Sequence, residues 1–112
     1  DGSGVPSKDA LVAVFNRFAA LGLEIHITEL DIRVRTPGAT AAELTAQQQG
    51  FANVTSACLA VPACEAIVSW GLNDGESWVP GTFPGYGQAL LFDDSYARKA
   101  TYTAVANALS GG

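Results

Sequence analysis

The feature that most limits how this chain can fold is a ten-residue run from Leu23 to Ile32, LEIHITELDI, rich in β-branched residues and nearly continuously apolar up to Glu29. A run of that kind reads as a strand buried on both faces of a parallel sheet, not as the alternating strand of a sheet open to water on one side. It nevertheless closes on two carboxylates one residue apart, Glu29 and Asp31. Side chains alternate along a strand, so i and i+2 share a face and the two acids are expected together at one end of it. A sheet core gains nothing from that arrangement, so the pair demands a chemical reason.

The flanking segments set the topology. Ser7 is placed to cap a helix whose apolar residues Leu11, Val14, Phe15, Phe18 and Leu21 recur at helical spacing, with Gly22 as its stop. After the loop RVRTPGA, Thr40 and Glu43 form a T-x-x-E capping box for a second helix carrying Leu44, Phe51, Val54 and Cys58, which must end before Pro62. Ala66 to Trp70, AIVSW, is a second short buried strand. Then GLNDGESWVPGTFPGYGQ, Gly71 to Gln88, is dense in glycine and proline; a loop that long is usually functional or disordered, and Trp78, Phe83 and Tyr86 argue against disorder. A last helix from about Arg98 to Leu109 carries Tyr102, Val105, Ala106 and Leu109 and is stopped by Gly111. Helices between strands imply right-handed parallel crossovers, so both strands point their C-terminal ends the same way. Glu29, Asp31 and Trp70 converge there, on the side where open α/β sheets and (β/α)₈ barrels bind ligands. Two strands alone leave edges unpaired and apolar faces open, so the expected architecture is part of a larger sheet.

Composition narrows the partners. With 112 residues, 48% hydrophobic and 15% charged, the chain has room for at most one modest domain. Eleven acidic against six basic residues give a net charge of −5, which opposes a phosphate-tracking surface and argues against nucleic acid. No apolar run approaches the roughly 20 residues of a membrane span, and the opening DGSG has no basic and apolar signal segment, so a soluble protein with an internal start is expected. Cys58 and Cys64, with Pro62 between them, read either as reduced core thiols or as a local disulfide. The second would stabilise by roughly 2 kcal/mol on the chain-entropy estimate and would place the protein in an oxidising compartment, with secretion as the expectation.

ITELDIRVRTP, the Cys58 and Cys64 pair, VSWGLNDGESWVPGTFPG, LLFDDSYARKATY and the final helix together resemble, in uninterrupted order, the C-terminal quarter of family 10 glycoside hydrolases, the β-1,4-xylanases and related exoglycanases. The resemblance implies an α/β fold, the C-terminal part of a (β/α)₈ TIM barrel in which residues 7–22 are helix 6, 23–32 strand 7, 40–60 helix 7, 65–70 strand 8 and 98–109 helix 8. On it, residues 1–112 form a fragment of a single catalytic domain, with strands 1 to 5 and nearly all of strand 6 outside the chain.

By the same resemblance Glu29 is the catalytic nucleophile of a retaining endo-1,4-β-xylanase, Asp31 supports it from a hydrogen-bonded network that includes a strand 6 histidine, and Trp70 and Trp78 line the subsite around the cleaved bond. Retaining hydrolysis needs a second carboxyl about 5 to 5.5 Å from the nucleophile. In the family it follows strand 4, beyond this chain; Glu76 follows no family motif. His26 is expected on the face opposite Glu29, toward the helix layer, as a packing histidine. Arg33 and Arg35 read equally as solvated loop charges or substrate contacts, and the sequon Asn53-Val54-Thr55 as fortuitous inside a helix. No metal or cofactor is implied; the implied partners are xylan or xylo-oligosaccharides and the remainder of the barrel, in the same or a complementary chain. The alternatives are an exo-β-1,4-glucanase of the same family (cellobiohydrolase-like), a non-catalytic carbohydrate-binding module, and a small self-standing α/β domain. Carbohydrate-binding modules are usually β-sandwiches, against which the helical periodicity counts.

Overall fold

The computed structural model describes residues 4–111. In chain order the elements are α1 (Lys8–Ala19), β1 (Ile25–Leu30), β2 (Val34–Arg35), α2 (Ala41–Ala60), β3 (Cys64–Ser69), α3 (Val79–Thr82), β4 (Tyr86–Gly87) and α4 (Ala100–Leu109). Local signals set most of the boundaries. Ser7 caps α1 by accepting from Ala10 N at 3.1 Å. The Thr40–Glu43 capping box is complete in both directions, with Thr40 N donating to Glu43 at 2.7 Å and Glu43 N donating to Thr40 Oγ1 at 3.1 Å. Two residues before Pro62, α2 ends, and a disulfide joins Cys58 on it to Cys64 at the start of β3.

β1 and β3 pair in parallel, with the helix α2 between them in sequence. Behind the sheet, Phe15 of α1 with Ala57 and Val61 forms a buried cluster against which Leu11, Ile25 and Ile27 pack. Thus Ile25 and Ile27 face the helix layer and His26 does not, contrary to the expectation from sequence: it lies on the open side, exposed, with Glu24 Oε2 at 3.8 Å. The reason lies in the ladder, whose register slips between Ile27 and Leu30, so the parity counted back from Glu29 no longer holds at His26. Nor is β1 covered on both faces, since its exposed residues include His26, Thr28 and Glu29.

A second, shorter sheet forms where the sequence suggested only loop. β2 and β4 pair antiparallel, Val34 with Gly87 and Arg35 with Tyr86, joining the segment after β1 to the one after α3. α4 packs against α2. Part of α1's apolar stripe stays open to solvent among the described residues: Val14 and Phe18, and Leu21 just past the helix, are all exposed.

Candidate active site

β1 and β3 deliver the expected residues to one end of the sheet. Trp70 N, just past β3, donates to Leu30 O at 3.0 Å, which ties the C-terminal ends of the two strands together. Glu29 lies exposed at the next-to-last position of β1, and Asp31 falls one residue beyond β1, in the connecting segment. Strand alternation therefore does not govern the relation of the two carboxylates. Asp31 is instead fixed by a residue far away in sequence, Trp78, whose Nε1 donates to Asp31 Oδ2 at 2.7 Å. An N–H to a carboxylate at that length is a charge-assisted bond, the stronger kind.

Trp70 and Trp78 keep 47% and 46% of their surface exposed, so both present apolar ring area at this end of the sheet. Pyranose rings have apolar C–H faces that such rings can cover while the hydroxyls stay hydrogen-bonded. Phe83 meets Trp78 edge-on, centroids 5.4 Å apart. The Arg33 guanidinium lies 3.9 Å over the Phe83 ring and 4.8 Å from that of Tyr86. Asp31, Trp78, Phe83, Arg33 and Tyr86 thus form one continuous row of contacts leading away from β1.

The other arginine of this segment has a different fate. Arg35 donates from Nε and Nη2 to the two oxygens of Glu43, at 2.8 and 3.1 Å, a bidentate pair in which the Glu43 side chain is only 8% exposed. That pairing, followed by the Thr40 amide, holds the Glu43 carboxyl well below its ordinary 4.5, at about 2, while it raises the Arg35 guanidinium further. Arg35 is a structural residue, not a loop charge.

Asn73 and Asp74, which follow Trp70 and Leu72, are buried. Asn73 caps the short 3₁₀ turn Asp74–Glu76 by accepting from Gly75 N at 2.8 Å, and Asp74 pairs with Lys99 Nζ at 2.9 Å. Glu76 is exposed in that turn. The sequon is occupied by packing: Asn53 Nδ2 donates to Pro6 O at 3.1 Å, and Thr55 is buried with its hydroxyl on Phe51 O at 2.8 Å. Among the described residues no group of three or more His, Cys, Asp or Glu is gathered as a metal site would require, and no helix is long and apolar enough to cross a membrane. Sequence reasoning missed the partners of Arg33, Arg35, Gln47 and Lys99. The Arg35–Glu43 pair had one readable half, the capping box; which cation meets it depends on where the loop between them turns.

Comparison with known proteins places this site in context. A sequence model described as glycosyl hydrolase family 10 matches residues 3–108. Endo-1,4-beta-xylanase A of Fusarium oxysporum f. sp. lycopersici is 42% identical over 105 residues, covering 94% of this chain and 32% of that protein. Endo-1,4-beta-xylanase 2 of Aureobasidium pullulans is 43% identical over 93% of this chain and 29% of its own length. Among solved structures, xylanase 10B of Thermotoga petrophila in complex with xylobiose superimposes with a TM-score of 0.88 at 42% identity, covering 95% of this chain and 32% of that one. Native xylanase 10B from Thermotoga maritima gives the same TM-score, 0.88, and identity, 42%. The chain spans about a third of the length of the relatives it matches.

Proposed function

The chain belongs to glycosyl hydrolase family 10, and from that premise we propose that it is the C-terminal part of the (β/α)₈ barrel of a secreted, retaining endo-1,4-β-xylanase. In this reading α1, β1, α2, β3 and α4 are helix 6, strand 7, helix 7, strand 8 and helix 8, and strands 1 to 6 come from the same or a complementary chain. The disulfide agrees with an oxidising, extracellular setting. The observation that carries the proposal is the 2.7 Å bond from Trp78 Nε1 to Asp31 Oδ2, which fixes an exposed aromatic face beside the end of the strand bearing Glu29.

Glu29 is the nucleophile. Its carboxylate attacks the anomeric carbon of a β-1,4-linked xylose, forming a glycosyl ester as the glycosidic C–O bond breaks. The leaving oxygen takes a proton from a second carboxyl, supplied by the rest of the barrel, which then deprotonates the water that cleaves the ester and frees Glu29. Asp31 orients the site from below, held by Trp78, while Trp70 and Trp78 cover the sugar faces.

Two measurements on the complete barrel test this. A 2-fluoro-β-xylobioside should label Glu29, and recovery of the label on another acid would overturn the assignment. Glu29→Gln should lower turnover by several orders of magnitude, each factor of ten being about 1.4 kcal/mol of transition-state stabilisation, without loss of folding.

A further inference from the structure

A partly buried polar cluster that this chemistry does not use joins the two segments carrying the candidate site. Those segments run as one antiparallel ladder: Ile32 N donates to Ala89 O at 3.1 Å, Val34 pairs with Gly87, Arg35 with Tyr86, and Thr36 N donates to Gly85 O at 2.9 Å. One side of the ladder follows Asp31 directly, and the other follows the turn of Trp78. Gln47, on α2 and only 2% exposed, reaches the ladder from the helix layer. Its Nε2 donates to Ile32 O at 2.6 Å and to Gln88 O at 2.7 Å, one carbonyl from each side. Both hydrogens of the amide nitrogen are thereby used.

The cluster continues through Lys99. Its Nζ donates to the same Gln88 carbonyl at 2.7 Å, to Leu90 O at 2.8 Å and to Asp74 at 2.9 Å, and Asp74 in turn accepts from Leu90 N at 3.0 Å. Asp74 sits midway along the sequence between Trp70 and Trp78. Gln88, where the two donors meet, is held at φ 50°, a left-handed conformation that persists in a non-glycine residue when its surroundings impose it. An unbroken chain of hydrogen bonds thus runs from the residue after Asp31, through Gln47, Gln88 and Lys99, into the tryptophan loop.

We propose that Gln47 and Lys99 are positioning residues: their clasp sets the place of the Trp70–Trp78 loop relative to the strand end bearing Glu29 and Asp31. The alternative is that they only stabilise the fold. The Trp78 indole N–H distinguishes the two, because it reports the Asp31 contact locally and without turnover. The activity arm rests on the xylanase reading above; the exchange arm does not.

In the complete barrel, with tryptophan labelled by ¹⁵N, hydrogen exchange of the Trp78 indole N–H is followed well below the melting temperature, and hydrolysis of a xylo-oligosaccharide is measured in parallel. Gln47→Met removes the amide donors and keeps the length; Lys99→Met removes the ammonium, and Lys99→Arg restores a cation. Each methionine variant should speed the indole exchange at least about tenfold and lower kcat about ten- to hundredfold, the scale of a small misplacement in an active site, with KM within about threefold. Lys99→Arg should recover most of both. Folded methionine variants with wild-type exchange and kcat would overturn the proposal, as would failure of both to fold, since a stabilising role then suffices. A wild-type barrel that cleaves no xylo-oligosaccharide refutes the xylanase reading, and the exchange arm still decides the clasp.

Discussion

At the scale of single residues, Trp78 combines a polar edge, committed to Asp31, with an exposed ring face. Substitution separates the two. Trp78→Phe keeps an aromatic face but leaves Asp31 without that donor; a hydrogen bond to a charged group contributes about 1.5–3 kcal/mol, so kcat/KM in the complete barrel should fall about ten- to hundredfold. Trp78→Ala loses the face as well and should be slower still on xylo-oligosaccharides. Equal rates for the phenylalanine variant and the wild type would show that the Asp31 bond contributes nothing to turnover. Gly71, next to Trp70, is a position where only glycine fits: its φ is 128°, and an added Cβ would stand 2.8 Å from Cδ1 of the fully buried Leu90. Gly71→Ala should destabilise by about 1–3 kcal/mol in urea denaturation, through backbone strain and the clash together.

Beside the apolar contacts between helices and sheet, two polar ties join the irregular segments to the helix behind them. α2 receives Arg35 on Glu43 at its first turn and holds the ladder through Gln47 in its interior. Because Glu43 titrates at about 2 in the folded protein and near 4.5 when unpaired, this pair's contribution is complete above about pH 4.5 and is lost as the pH falls toward 2. Stability measured from pH 5 to pH 2 should therefore drop less steeply in Glu43→Gln than in the wild type. The variant should also be the less stable of the two at neutral pH, where the ion pair is intact. Parallel slopes would mean that the pair adds nothing in water.

For the molecule as a whole, the described residues leave one face of β1 and the outer stripe of α1 open, with Val14, Phe18, Leu21, Leu23 and Val68 all exposed. Exposed apolar area of this extent marks an interaction surface. On the barrel reading its occupant is the sheet formed by strands 1 to 6, which also carries the second carboxyl. The isolated 112 residues should consequently release no xylo-oligosaccharide products. Refolded with a complementary chain carrying strands 1 to 6 they should gain activity, and the same mixture made with Glu29→Gln should not. Robust cleavage by the isolated chain would refute the half-site reading.

What sequence determined by itself was local. Helix caps at Ser7 and Thr40, the stop before Pro62, the two apolar strands and their parallel sense follow from hydrogen bonds and periodicities spanning a few residues, and the structure carries each of them. Likewise the T-E-L-D run and the two tryptophans marked one end of the sheet as the expected place for chemistry. Tertiary structure decided what meets what there. Asp31 and Trp78 are 47 residues apart, Gln47 and Gln88 are 41, and each contact depends on the path of an irregular segment that no period describes. The same holds for His26, whose side was inverted by a slip in the β1–β3 register, and for Arg33 and Arg35, adjacent in pattern yet sent to aromatic rings and to Glu43 respectively. Short-range hydrogen bonding is encoded within the segment that makes it, whereas a long-range contact exists only once the loops on both sides have been fixed, and here Gln47 and Lys99 fix them.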